Sequence, residues 1–193
     1  MKSILEKALK KGISYKKYIS LLTDAVNKGP EGLSAHDIKM LGYTSLNLKR
    51  MAKWDKIVKI QDSVRTHAQA LSQKEYWLII TEGWCGDAAH ILPVIEHIAQ
   101  LNPLLTTHYV LRDENPDLMD QFLTNGGRSI PIILRLNADN LDIINQYGPR
   151  PIDRQERFYQ LRNKPDFSYS DWTLESQKWY AKDKGQTVQR EFL

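Results

Sequence analysis

The chain has 193 residues, 41% of them hydrophobic and 26% charged, enough for one globular unit with a substantial core. Its 27 Lys and Arg against 23 Asp and Glu leave a net charge of +4, and the clusters Lys10-Lys11, Lys16-Lys17 and Lys49-Arg50 are short and well separated. That pattern predicts solvated faces rather than a nucleic-acid surface. No stretch has membrane-spanning length, and the basic opening MKSILEKALKKGISYKKY lacks the apolar run and small-residue cleavage site of a signal peptide. A single cysteine excludes an internal disulfide framework and suits a reducing compartment, so a soluble cytoplasmic protein is expected.

Residues 1–72 are expected to form a helical extension packed on the core. Tyr15 to Asn27 places Tyr18, Leu21, Leu22, Ala25 and Val26 at helical spacing and stops at Gly29-Pro30. Ser34 predicts the N-cap of a short helix ending near Gly42. A longer helix, from about Ser45 to Leu71, would carry Trp54, Ile57, Val64, Ala68 and Leu71 along one stripe.

The period then changes. Tyr76 to Thr81 is a short, nearly continuous apolar run, as expected of a strand covered on both faces. A helix is predicted from about Cys85 to Gln100, with Ile91, Val94, Ile95 and Ile98 apolar, and a second strand from Thr106 to Arg112. Pro116 opens a helix expected to reach Gly126-Gly127. Ile130 to Leu136 and Leu141 to Tyr147 read as the third and fourth strands. The order β-α-β-α-β-β predicts an α/β core over residues 73–150, with parallel crossovers early and an antiparallel hairpin late. After Gly148-Pro149-Arg150-Pro151, helices from Ile152 to Asn163 and Ser170 to Lys184 are expected to fill 151–193, completing a single globular unit. Trp172 and Trp179, seven apart on one face, read as packing anchors.

One segment carries chemistry. Cys85 follows an apolar strand and stands at the expected start of a helix, where unpaired N–H groups and the helix dipole favour a thiolate. Gly86 lets another backbone approach closely, and Trp84 can shield the sulfur and give a partner an apolar landing surface. Asp87 opposes the thiolate, with an effect that solvent exposure would screen. An inert buried cysteine is the competing reading. His90, five residues on, is expected on another helix face, and His97 is expected to point outward. His36, His67 and His108 have no neighbours at metal-ligand spacing, and no phosphate-cradling glycine loop is present. Neither a metal nor a cofactor is expected.

The run Trp84-Cys85-Gly86, two variable positions and then a helix holding Pro93 resembles the active-site segment of the thioredoxin family. Asp113-Glu114-Asn115-Pro116 resembles that family's strand-to-helix junction, and Gly127-Arg128-Ser129-Ile130-Pro131-Ile132 the loop holding its cis-proline. The resemblance implies a thioredoxin-like three-layer sandwich with a mixed sheet, extended by helices at both ends. It also implies a cis Ile130–Pro131 bond beside Cys85, with backbone that can pair with an extended substrate. The family's second cysteine is replaced by Ala88, its buried carboxylate by Ile79 and its companion lysine by Tyr109.

Three functions follow from that pattern. The first is a single-cysteine thiol–disulfide protein, in which Cys85 forms a mixed disulfide with a protein or small-molecule partner and an external thiol such as glutathione resolves it. The second is a binding module that docks extended peptides at the cis-proline groove without turnover. Peroxide sensing through a Cys85 sulfenic acid ranks third. Trp84, Gly86, Ile130 and Pro131 are the expected partner-binding residues, with Asp87 and Ala88 modulating the thiol.

Overall fold

The computed structural model describes residues 1–193. Four helices come first: α1 (Lys2–Lys11), α2 (Tyr15–Lys28), α3 (Ala35–Ile57) and α4 (Asp62–Ala70). The central section is β1 (Glu75–Thr81), α5 (Ala88–Ala99), β2 (Leu105–Leu111), α6 (Pro116–Met119), β3 (Ile132–Asn137) and β4 (Ile143–Tyr147). Three helices close the chain: α7 (Ile152–Arg162), α8 (Tyr169–Asp183) and α9 (Gln186–Phe192).

The strands form one sheet in the order β2-β1-β3-β4, with β1 parallel to β2 and antiparallel to β3, and β4 returning antiparallel beside β3. The central strand β1 is buried at every position but Tyr76, which explains its unbroken apolar sequence. The outer edge of β2 is partly covered by Ile13, whose N–H donates to the Tyr109 carbonyl at 3.0 Å and whose carbonyl accepts from Tyr109 at 2.8 Å. One contiguous hydrophobic core runs from Leu5 to Phe192, so residues of both terminal segments share it with the sheet. No helix is long and apolar enough to cross a membrane.

Several boundaries differ from expectation. The break expected near Gly42 is absent, and α3 runs through it for 23 residues. Thr44, Asn47, Met51 and Trp54 form one buried stripe. Packing of that stripe outweighs the roughly 1 kcal/mol that an interior glycine costs. The break falls instead between α3 and α4. There the fully buried Gln189 of α9 donates from Nε2 to the Lys59 carbonyl (3.0 Å) and accepts at Oε1 from the Gln61 N–H (2.8 Å). A partner about 130 residues away satisfies the opened backbone, so no local signal marks it. Helix α6 has four residues rather than a run to Gly126, and farther on Asn125 and Gly126 turn left-handed inside a Thr124–Gly127 bridge. Helices α1 and α9 fall within the two terminal segments expected to be helical, where no bounds are predicted for them.

At one end of β1 lies a sealed ion pair. Arg135 donates from Nε and Nη2 to Glu75, both at 2.9 Å, and the Trp77 indole donates to the same carboxylate at 2.8 Å. Burial opposes ionisation of Glu75, but the Arg135 and Trp77 hydrogen bonds outweigh it and hold the carboxyl below its usual range.

Candidate functional site

The loop after β1 builds the floor of the site. The Cys85 N–H donates to the Glu82 carbonyl at 3.1 Å, a turn that places the cysteine before the helix rather than in it. Helix α5 begins at Ala88, three residues later than expected. The Ala88 N–H points at Cys85 Sγ at 3.5 Å, and the thiol donates to the Ile130 carbonyl at 3.3 Å. The Ile130–Pro131 peptide is cis, and Pro93 falls inside α5. Cys85 is only 7% exposed. Burial pushes its thiol up to about 12, Asp87 adds to the rise, and the Ala88 N–H and Arg150 oppose it. The expected thiolate preference is therefore reversed at rest, since loss of water outweighs one long N–H contact.

Asp87 does not face solvent. Its carboxylate accepts from Arg150 Nε at 2.7 Å and from the Tyr180 hydroxyl at 3.0 Å. The pair is nearly buried, with Asp87 and Arg150 side chains 13% and 9% exposed. Arg150 reaches it because the chain passes close against Pro131 at Gly148, where φ is +108° and a Cβ would overlap the Pro131 carbonyl oxygen. The guanidinium also lies 4.7 Å from the Phe158 ring centroid.

His90 is a second departure. It shares a cleft with Cys85, because the helical count starts at Ala88 and the cysteine lies in the preceding turn. Trp54 Nε1 donates to His90 Nδ1 at 2.8 Å, Tyr180 stacks on the ring at 4.5 Å, and Nε2 is buried without a partner. Burial, with a smaller contribution from Arg50, pushes His90 down to about 3, so the ring is neutral.

The cleft has a volume of about 520 Å³. Trp84 to Asp87, Ser129 and Ile130 contribute from the core, while α3, α7 and α8 supply walls that include Tyr43, Arg50, Phe158 and Trp172. Helix α3 is tied to the floor by Asn47, whose Nδ2 donates to the Gly83 carbonyl at 2.9 Å and whose Oδ1 accepts from Arg50 at 2.8 Å. Gly83 permits this close approach of α3, since a Cβ there would lie 2.9 Å from the Thr44 methyl. The Arg112 guanidinium lies 4.7 Å from the Trp84 ring centroid. Trp172, read as a packing anchor, is 4% exposed and also lines the cleft. Six cationic side chains line this space, Lys39, Arg50, Arg112, Arg128, Arg150 and Arg162, against one carboxylate, Asp87. Sequence inspection missed the concentration because these residues come from separate segments. No group of three or more His, Cys, Asp or Glu is arranged to hold a metal ion.

Ile79 and Tyr109, which stand where the resembled family has a buried carboxylate and its companion lysine, are packing residues. Ile79 is fully buried opposite Tyr109 across β1 and β2. Tyr109 stacks on Tyr18 at 5.3 Å and donates to Glu96 at 3.2 Å.

A family model described as Thioredoxin matches residues 35–163, from α3 to the end of α7. The match therefore includes the α3 wall of the cleft and the α7 residues Phe158 and Arg162 as well as its floor. No curated protein matches the chain. Among solved structures, a protein of unknown function from Pseudomonas aeruginosa is similar with a TM-score of 0.58 at 14% identity, over 94% of this chain and 92% of that one. An HIV epitope-scaffold aligns with a TM-score of 0.49 at 16% identity, over 94% of this chain and 99% of that one. With the mixed sheet, the Trp84-Cys85-Gly86 turn and a family match over well over half its length, this chain has a thioredoxin-like fold and belongs to the thioredoxin family.

Proposed function

We propose that this is a thioredoxin-fold binding protein whose ligand occupies the cleft over Cys85, with the thiol acting as part of the floor rather than as a resting nucleophile. The observation that carries this reading is the state of the sulfur: it is 7% exposed, it donates to Ile130, and it is pushed up to about 12. Only the thiolate attacks a disulfide, and little thiolate exists at neutral pH under these conditions. The absence of a second cysteine agrees, because Ala88 offers nothing to displace a bound product.

A second reading, monothiol exchange, is favoured by the Ala88 N–H aimed at Sγ. In that reaction Cys85 loses its proton to solvent and attacks one sulfur of a disulfide. A Cys85–S–S–R bond forms, and the other half leaves as a thiolate. An external thiolate then attacks the R sulfur, releasing Cys85 and forming a new small disulfide. Trp84, Gly86, Ile130 and Pro131 would hold the partner in either reading.

The pH dependence of Cys85 alkylation in the native protein, followed by intact mass, separates the two. The binding reading expects the rate to climb about tenfold per pH unit with no plateau up to pH ~9, and no repeated turnover of glutathione disulfide. A plateau below about 8.5, the ordinary thiol value, with a mixed disulfide that forms and clears in cycles, would overturn it.

A further inference from the structure

The cleft carries cations that its own architecture leaves unpaired. Arg112, Arg128 and Arg150 are held by Asp113, Asp120 and Asp87. Lys39, Arg50 and Arg162 line the same space and form no ion pair. Arg50 is the most informative. It is half-buried, and its Nη1 donates only to the neutral Asn47 amide at 2.8 Å. A partly desolvated guanidinium without a counter-ion is unfavourable unless an anion compensates it. His90, 7% exposed and lining the same cleft, adds a buried Nε2 with no protein partner.

The unpaired cations stand on different walls of one cleft, Arg50 and the exposed Lys39 on α3 and the exposed Arg162 on α7. Guanidinium groups suit the planar, two-oxygen geometry of carboxylates and phosphates. Tyr43 and Trp172 add aromatic lining, and a volume of about 520 Å³ suits a small molecule.

We propose that the cleft binds a small polyanion, bearing at least two carboxylate or phosphate groups, between Arg50 of α3 and Arg162 of α7. This specifies the ligand class for the binding function above and rests on that cleft being the ligand site, but not on the protonation of Cys85.

Isothermal titration of the full chain with citrate, pyrophosphate and the neutral triethyl citrate tests it. At least one polyanion is expected to bind at one site per chain, and triethyl citrate is not. Citrate alone would identify a carboxylate ligand and pyrophosphate alone a phosphate ligand. Arg50→Gln and Arg162→Gln should each weaken binding by about tenfold or more, as loss of a charge-assisted hydrogen bond predicts. Arg50→Lys should recover part of the loss, and Lys7→Gln, remote from the cleft, should change nothing. Failure of both polyanions to bind, equal binding of triethyl citrate, or indifference to both glutamine variants would overturn the proposal. Repeating the titration with Cys85→Ser keeps the two readings apart. Anion binding that persists beside a fast-alkylating wild-type Cys85 sinks only the shielded-thiol reading. No anion binding beside a slow Cys85 sinks only the polyanion.

Discussion

Two buried arginine–carboxylate pairs stand towards opposite ends of the central strand, and they do different work. Glu75–Arg135 is doubly hydrogen-bonded, with side chains 4% and 8% exposed, and Trp77 completes its shell. Asp87–Arg150 is nearly as buried, but both residues line the cleft beside Cys85, and Tyr180 takes the remaining carboxylate oxygen. The first pair has every neighbour it needs within the core. The second sets the charge around a thiol and anchors the turn from β4 to α7, which passes against Pro131. Similar chemistry becomes a structural lock in one place and part of a site in the other, according to what lies beside it.

The largest expected effect tests that difference directly. Arg135→Met leaves Glu75 buried and uncompensated, and should cost about 3–5 kcal/mol in denaturant unfolding. Arg150→Met should cost less, because water in the cleft can reach Asp87. Equal losses would mean that the cleft-side pair is as sealed as the other.

A middle-sized effect belongs to Gly148→Ala. Its φ of +108° and the Pro131 carbonyl leave no room for a methyl group, so destabilisation of about 1–3 kcal/mol is expected. The damage should concentrate at the site: hydrogen exchange should speed up around Arg150 and α7 while β1 and β3 near Glu75–Arg135 stay protected. Uniform acceleration across the sheet would erase the distinction between the two ends.

The smallest effect is the one read over a single pH unit, between about pH 6 and pH 5. His90 is held neutral, with its value pushed down to about 3. The unfolded chain therefore binds the extra proton first. Stability from His90 is fully present above its ordinary value of about 6.5 and falls by up to about 1.4 kcal/mol per unit as pH drops from there towards 3. Glu75 is displaced downward as an acid, so its contribution is present above the ordinary glutamate value and is lost only as pH falls through its lower folded value. The cleft end should therefore weaken before the sealed end. His90→Gln keeps an acceptor for Trp54 and removes the titration, so it should flatten the stability profile between about pH 6 and pH 5. An unchanged slope would show that other groups carry it.

The floor of the site was largely legible. Trp84, Cys85 and Gly86 are contiguous, but Ile130 lies 45 residues from Cys85, and only the resemblance to the thioredoxin family, not residue spacing, set Ile130 and Pro131 beside the cysteine. The walls were not legible. Arg50 and Arg162 are more than 100 residues apart, and each looks like an ordinary surface cation on an amphipathic helix. His90 was misplaced for a local reason, because one turn of non-helical chain after Cys85 resets the helical phase. The state of the thiol depends on burial, which no residue pattern encodes at a single cysteine.

By itself the sequence determined the alternation of strands and helices, the family motifs and the presence of alanine at position 88 in place of a second cysteine. Those properties follow from hydrophobic period, residue identity and short spacing. Only the tertiary structure decided that α3 passes Gly42 unbroken, that Gln189 satisfies the backbone between α3 and α4, that Asp87 is paired instead of solvated, and that scattered cations converge over Cys85. Each of these is a long-range contact. Its energy comes from desolvation and geometry that exist only once distant segments have packed together.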